Sequence, residues 1–340
     1  MANYLPSVLL KAQAKIDASM QAPEFRYKMT PAFEVAKQNS NFLIPNYEAL
    51  KTSDSRAVET YIINRSSRSA GSARAYDHSG VNGDTTAVSL TWATYTDKFK
   101  LSLKQGDRNI FDNAELLAKQ YMNAFINIHN AIGTAAQDYL STNKNQVELT
   151  SPKGATWNDT NNAYVISAAD SNRFAQRVKS IMRQDNYNTN TFDVIADPTQ
   201  YADLEYIANQ GTGNSTNWGF QYNGLNIAES TEITVPDNFT GAAFVMPAGT
   251  FGVLPWIPKK NREGWGDMES YVGGYGTIVD PISGLTMAVH GYAERADNDT
   301  TGSEVQDVNY EFEVSIDLAF LSAPLSTSDA SVINLFLQGA

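Results

Sequence analysis

The chain has 340 residues, of which 42% are hydrophobic and 18% charged, the balance of a globular protein long enough for about two domains. It holds no cysteine, which excludes disulfides, thiolate catalysis and Cys-ligated zinc and suits a reducing compartment. Its net charge of −12 argues against a dedicated nucleic-acid binder, because attraction to phosphates needs a basic surface. The charge is uneven: residues 1–78 carry ten Lys/Arg against seven Asp/Glu, net +3, so the remainder is net −15. No apolar run approaches 18 residues, so no transmembrane span is expected, and Val8-Leu9-Leu10 is too short for a signal-peptide core.

Leu9, Ala12, Ile16 and Met20 stand at helical spacing, so 5–20 reads as a short amphipathic helix. Pro23, Pro31 and Pro45 punctuate the next stretch, and 21–50 reads as an extended arm with brief turns. Val58 to Asn64 reads as a strand. The small, basic stretch from Arg65 through Arg68 to Arg74 cannot bury apolar area and reads as a mobile tip. From Ala87 a long strand is expected. Val88, Leu90 and Trp92 share one parity and Phe99, Leu101 and Leu103 the other, so a bulge is placed near Ala93–Tyr95.

The stretch from Asp112 to about Asn143 reads as one helix of roughly 30 residues, about 45 Å long. Leu117, Tyr121, Ala124, Phe125, Ile128, Ile132, Ala135 and Tyr139 form its apolar stripe. Asp112 and Glu115 have capping-box spacing, and Phe111 and Leu116 that of a hydrophobic staple. Lys119, Asn123, Asn127, Asn130 and Gln137 are expected on the face turned to water or to a neighbour. Such a helix needs a partner along its whole length.

Next, 144–166 reads as a polar loop, and a helix capped by Ser167 carries Phe174, Val178, Ile181 and Met182 inward. Phe192–Ala196 reads as a short buried strand, and Asp197-Pro198 opens a helix that ends before Gly211. Asn223-Gly224 signals a hairpin. Strands are expected at about 243–247 and 251–257. The last element is read as the strand from Tyr310 to Phe320, apolar at every second position and half-buried.

Chemistry-bearing motifs are sparse. His78, His129 and His290 lack metal-ligand spacing, and the two latter read as packed helix and strand residues. The glycines around 264–266 and 273–276 do not form a phosphate-cradling loop and read as flexible loops. Asp297–Gly302 opens like a calcium loop, but Val308 stands where the closing Glu belongs. No cofactor, metal or catalytic residue is assigned, and the chain is not read as an enzyme.

The order of elements, together with Phe192–Tyr201, the Asn223-Gly224 hairpin, Thr234-Val235-Pro236-Asp237 and Ala243–Gly249, resembles the major capsid protein of tailed bacteriophages, the Hong Kong 97-type fold. The resemblance rests on pattern and covers most of the chain. It implies an α+β fold with an N-terminal arm (1–50), an extended two-stranded loop (51–104), a peripheral domain (105–190) with spine helix 112–143, an axial domain (191–300) and a closing strand and C-terminal segment (301–340) returning to the body. It implies a non-enzymatic shell protein that self-assembles into pentamers and hexamers of an icosahedral head around double-stranded DNA. The location would be the virion capsid, assembled in the bacterial host cytoplasm.

The expected partners are other copies, a portal, separate scaffold or decoration proteins, and packaged DNA bound without sequence specificity; no membrane is expected. The candidate inter-subunit contacts are Arg65, Arg68, Arg74 and Trp92. Some members join subunits by an isopeptide bond from a loop lysine, but no lysine lies between Thr52 and Asp97, so no such cross-link is expected. Two other readings stay open: an encapsulin-like nanocompartment shell of the same fold, and a soluble carbohydrate-binding or carbohydrate-cleaving protein using Trp218, Trp256 and Trp265.

Overall fold

A computed structural model describes residues 14, 26–63, 74, 85–102, 113–148, 154–187, 189–209, 219–222, 224–268, 270–296, 307–325 and 330–339. The expected helix at 5–20, apart from Ala14, the cap at Asp112 and the acidic turn at 297–302 lie outside them. Two large sheets organise the chain. The six-stranded one contains β3 (Trp92–Ser102), β10 (Phe251–Trp256), β11 (Gly266–Asp267), β12 (Gly273–Val279), β13 (Thr286–Ala296) and β14 (Asp307–Ser322). β14 is its axis. One edge pairs with β13 over its first part and with β10 over its last, while the other edge pairs with β3. The alternation expected for 310–320 is present, with Phe312, Val314, Ile316 and Leu318 buried.

The seven-stranded sheet has the order β4 (Thr156–Asn158), β5 (Ala163–Ile166), β15 (Asn334–Gly339), β9 (Phe239–Pro247), β6 (Phe192–Ala196), β8 (Leu225–Glu229) and β7 (Gly219–Tyr222). The β15–β5 and β6–β8 pairs are parallel and the others antiparallel. One face is covered by helices Phe174–Gln184 and Pro198–Asn209 through Phe174, Val178, Ile181, Met182, Tyr201 and Leu204. Asp197 shapes the second helix's start: Thr199 N donates to its Oδ2 (2.9 Å) and Ala242 N to its Oδ1 (2.7 Å). The other face, through Ile195, Phe244, Met246, Leu335 and Leu337, joins the same core cluster as the spine helix.

That spine helix runs from Asn113 to Thr142. Its Tyr121 ring meets Phe99 of β3 edge-on at 4.9 Å and Phe312 of β14 at 5.9 Å. Near its other end Tyr139 stacks on Phe251 at 5.6 Å and meets Phe320 at 5.9 Å. Gln137, expected on the outer face, is instead buried beside Ala136 and Leu140. Here the helix is enclosed more widely than a single stripe, and a further helix also packs on it.

This further helix corrects the expectation of an extended arm. Residues Pro31–Leu43 form a 13-residue helix, and Tyr47–Lys51 a short second one. Pro31 sits at the first helical position, where its missing N–H is not needed, so this proline starts a helix instead of breaking one. Ala32, Phe33 and Ala36 are buried in the main core. Ser40 Oγ donates to Ala36 O (2.6 Å) and accepts from Val253 N of β10 (2.9 Å). Asn39 Nδ2 donates to Asp193 Oδ2 of β6 (2.9 Å). The arm helix is therefore hydrogen-bonded to both sheets. It meets the spine at Gly133, where a Cβ would stand 2.2 Å from Thr30 Cγ2. Beside it, Thr30 Oγ1 and His129 Nε2 lie 3.2 Å apart, and burial pushes the imidazole below its ordinary pKa.

Three further expectations are corrected. The long strand from Ala87 is two strands, β2 (Thr85–Ser89) and β3, separated at Leu90–Thr91. The change of parity marks a transfer between sheets and not a bulge, since β2 pairs with β1 (Glu59–Ile63) and β3 with β14. The polar loop 144–166 contains β4 and β5, whose Ala163, Tyr164 and Ile166 are fully buried. The strand 310–320 is not the last, because β15 comes after it and inserts between β5 and β9. As a result, β4, β5 and the helix Phe174–Gln184 belong with the seven-stranded sheet, and strands β10 to β14 belong with the spine's sheet.

Truncating Phe33 to Ala should cost about 3–5 kcal/mol in a chemical-denaturation measurement, the range for a buried aromatic. An arm lying loosely on the body would lose far less. A second test concerns Asp185, whose carboxyl accepts from Tyr164 Oη (3.1 Å) and is pushed by burial up to about 6. With its folded value above the unfolded one, the stabilising contribution is complete below about pH 4 and is lost as pH rises through about 6. Asp185→Asn keeps an acceptor for Tyr164. It should gain roughly 1 kcal/mol over the wild type at pH 8, after allowance for partial exposure, and nothing at pH 4.

Candidate functional site

No group of three or more His, Asp and Glu side chains among the described residues is placed to hold a metal ion. His129 is enclosed between the arm and the spine, whereas His290 lies on a sheet surface, stacked on Tyr275 at 4.6 Å. Burial, followed by the nearby Lys260, lowers the pKa of His290. The surface around it is a cross-strand ladder. Lys98 pairs with Glu313 at 3.1 Å, and Lys100 with Glu311 at 3.5 Å. The Tyr292 hydroxyl donates to Glu311, and this bond holds that carboxyl below its ordinary pKa. These charges satisfy one another. Among the described residues, no helix is long and apolar enough to cross a membrane.

The distinctive feature is the β1–β2 ribbon. It is a separate two-stranded antiparallel sheet, with Glu59 opposite Ser89 and Ile63 opposite Thr85. Neither strand pairs with another described strand, and Val58 (78% exposed) and Tyr61 (52%) face water. An isolated two-stranded ribbon is marginal in water, and its edges offer unpaired backbone groups to another chain.

Its root is firmly held. Trp92 Nε1 donates to Ala57 O (2.7 Å), Trp256 Nε1 to Ser53 O (2.9 Å) and Arg262 Nη2 to Ser53 O (2.7 Å). Arg56 Nε lies 3.5 Å from Asp317 Oδ2, and Thr94 Oγ1 donates to Asp317 Oδ1 (2.5 Å). Beneath these bonds, Leu43, Ile44, Leu90, Leu254, Ala319 and Leu321 form a small apolar cluster, with Ala57, Ile62 and Trp92 against it. The root thus gathers the arm, β3, β10 and β14.

Of the contact candidates, Trp92 is half-buried in this root and Arg74 is exposed. Arg65 and Arg68 lie outside the described residues. The root bonds of Arg56, Trp256, Arg262 and Asp317 escaped the sequence reading. They join positions some 200 residues apart, and no local pattern marks them. Of the proposed sugar-stacking residues, Trp256 is buried and committed to Ser53, Trp265 is exposed, and Trp218 lies outside the described residues.

Comparison with known proteins yields no matching family model and no matching curated protein. Solved structures do match. A chain of the Cyanophage A-1(L) capsid asymmetric unit is similar with TM-score 0.55 and 9% identity, over 91% of this chain and 93% of that one. A chain of the Cyanophage Pam1 capsid asymmetric unit is similar with TM-score 0.50 and 11% identity, over 93% of each chain. This chain shares its fold with those two capsid chains.

Removing the Asp317 carboxylate tests the root. Asp317→Ala should destabilise the protein by about 1 kcal/mol, the net worth of a hydrogen bond and an ion pair whose partners, Thr94 and Arg56, stay reachable by water. It should also speed hydrogen exchange selectively in 57–63 and 85–91. Uniform acceleration across the chain would show that Asp317 does not anchor the ribbon in particular.

Proposed function

We propose that this chain is the major capsid protein of a tailed bacteriophage, a structural and non-enzymatic subunit of the Hong Kong 97 type. The observation that carries this reading is the ribbon: a held root bearing a two-stranded sheet that pairs with no other described strand, is packed on its own body at Thr60 and Ile62, and leaves Val58 and Tyr61 exposed. Its free edges and exposed face suit another subunit. In this reading the ribbon is the extended loop. The spine helix with the six-stranded sheet is the peripheral domain, and the seven-stranded sheet with its two helices is the axial domain. Residues 1–50 remain the N-terminal arm, although its second half packs on the chain's own core.

Copies would form the pentamers and hexamers of an icosahedral head in the host cytoplasm, enclose double-stranded DNA without reading its sequence, and meet a portal and separate scaffold or decoration proteins. The net charge of −12 supports a container in preference to a DNA-gripping surface. Arg65, Arg68 and Arg74 supply a basic segment that suits an acidic neighbour.

Negative-stain microscopy of the purified full chain tests the reading directly. Closed icosahedral particles are expected, and nucleic acid in particles isolated from infected cells separates a phage head from an encapsulin-like shell with protein cargo. A monomer at every concentration would overturn it. Replacing Arg65, Arg68 and Arg74 together by Gln should lower particle yield at low salt, with the deficit narrowing as salt screens the charges.

A further inference from the structure

Charge is segregated on the helical side of the seven-stranded sheet. Residues 173–184 hold four basic side chains, Arg173, Arg177, Lys179 and Arg183, and no acidic one. Residues 185–258, by contrast, hold eight Asp or Glu and no Lys, Arg or His. The first stretch is the helix Phe174–Gln184 with its N-cap residue. The second contains the helix Pro198–Asn209, which covers the same face of the sheet. Each helix turns one side inward, through Val178, Ile181 and Met182 in the first and Tyr201 and Leu204 in the second. Their outer sides therefore bring opposite charges to the surface separately.

On the basic helix Arg173, Gln176, Ser180 and Arg183 are all exposed. Their steps of three and four place them on one outer stripe with an arginine at each end, about 15 Å apart along the axis. Arg177 is held at one flank by Asp170 (3.1 Å), and Lys179 Nζ sits beside Gly224 at the other. Arg173 and Arg183 have no ion pair among the described residues. On the acidic helix Asp203 is exposed and likewise has no ion pair among the described residues, and Tyr206 beside it is 68% exposed. Glu205 and Glu229 stand close by. After burial, these two carboxylates are what raise the phenol of Tyr201 above its ordinary pKa.

We infer that the outer stripe of helix Phe174–Gln184 in one copy docks on the outer side of helix Pro198–Asn209 in a second copy, with Arg173 and Arg183 facing Asp203 and its acidic neighbours. Charge complementarity selects this occupant: each face carries the sign that the other lacks, and opposite faces both steer two chains together and fix their register. A DNA duplex would suit the two arginines alone and would be repelled by Asp203, Glu205 and Glu229. A second copy satisfies both faces. Arginine and tyrosine are also the side chains that most often anchor such contacts, and Tyr206 projects from the acidic face. The inference rests on the shell reading and names a contact within it.

The test reverses charges in the full chain: Arg173→Glu with Arg183→Glu, Asp203→Arg with Glu205→Arg, and all four together. All four side chains are exposed or half-exposed, so the variants should melt like the wild type. Each pair alone should lower particle yield at low salt at least about tenfold, because like charges then meet across the contact. The fourfold variant should return to within about threefold of the wild type, the signature of coupled sites. Full yield from either pair, or no recovery in the fourfold variant, overturns the docking and leaves the shell reading standing. Normal assembly of the arginine pair with less nucleic acid retained assigns the stripe to DNA and also overturns it. If the wild type forms no particles, both readings fall. The absence of native cysteine gives a second readout that holds even where a reversal misfolds. Copies with Ser180→Cys and copies with Ala202→Cys, assembled together and treated with a short bis-maleimide, should yield mixed conjugates. Unmixed conjugates alone, or none, overturn the docking.

Discussion

A 30-residue helix is stable in water when its apolar face is covered along its length, and this requirement shapes the rest of the chain. The cover comes from three places in sequence. β3 and β14 supply Phe99, Phe312 and Phe320 as a rail of rings beneath Tyr121 and Tyr139. β14 has 16 residues, enough to pair with β13, β10 and β3 while lying under the helix. The arm helix closes the remaining side, and its approach depends on the absence of a side chain at Gly133.

The arm helix also explains how two sheets behave as one body. Ser40 is bonded to β10 and Asn39 to β6, so a single short helix is tied to both. Asp193 is buried, with Asn39 on one oxygen and Asn226 Nδ2 on the other at 2.9 Å, so both carboxyl oxygens have hydrogen-bond donors inside the protein. The core runs without interruption from Phe33 through Ile128 and Phe244 to Leu337. Against this solid body, the β1–β2 ribbon stands out. It is anchored by specific hydrogen bonds at its root and leaves Val58 and Tyr61 uncovered.

Where local periodicity dominates, sequence and structure agree. The spine helix, the alternating strand from Tyr310 to Phe320, the buried Phe192–Ala196 strand and the inward side of Phe174–Met182 all have strong 3.6- or 2-residue patterns. The misses share one cause. Pro31 read as a break because its helix is held by contacts with Val253 and Asp193, which no local window includes. β4, β5 and β15 are short and depend on neighbours up to about 170 residues away. The switch at Leu90–Thr91 was visible as a change of parity, but bulge and sheet transfer produce the same pattern until the pairing partners are known.

By itself, then, the sequence determined which segments are amphipathic and on which side, because hydrophobic spacing is a property of the chain alone. It also determined that cysteine chemistry is absent and that the leading segment is basic. Tertiary structure decided what each apolar face meets: that the arm belongs to the core, that β15 completes the seven-stranded sheet, and that Trp92, Trp256 and Asp317 converge on the ribbon root. Such pairings are selected by shape and hydrogen-bond complementarity between distant segments, which exists once the chain has closed on itself.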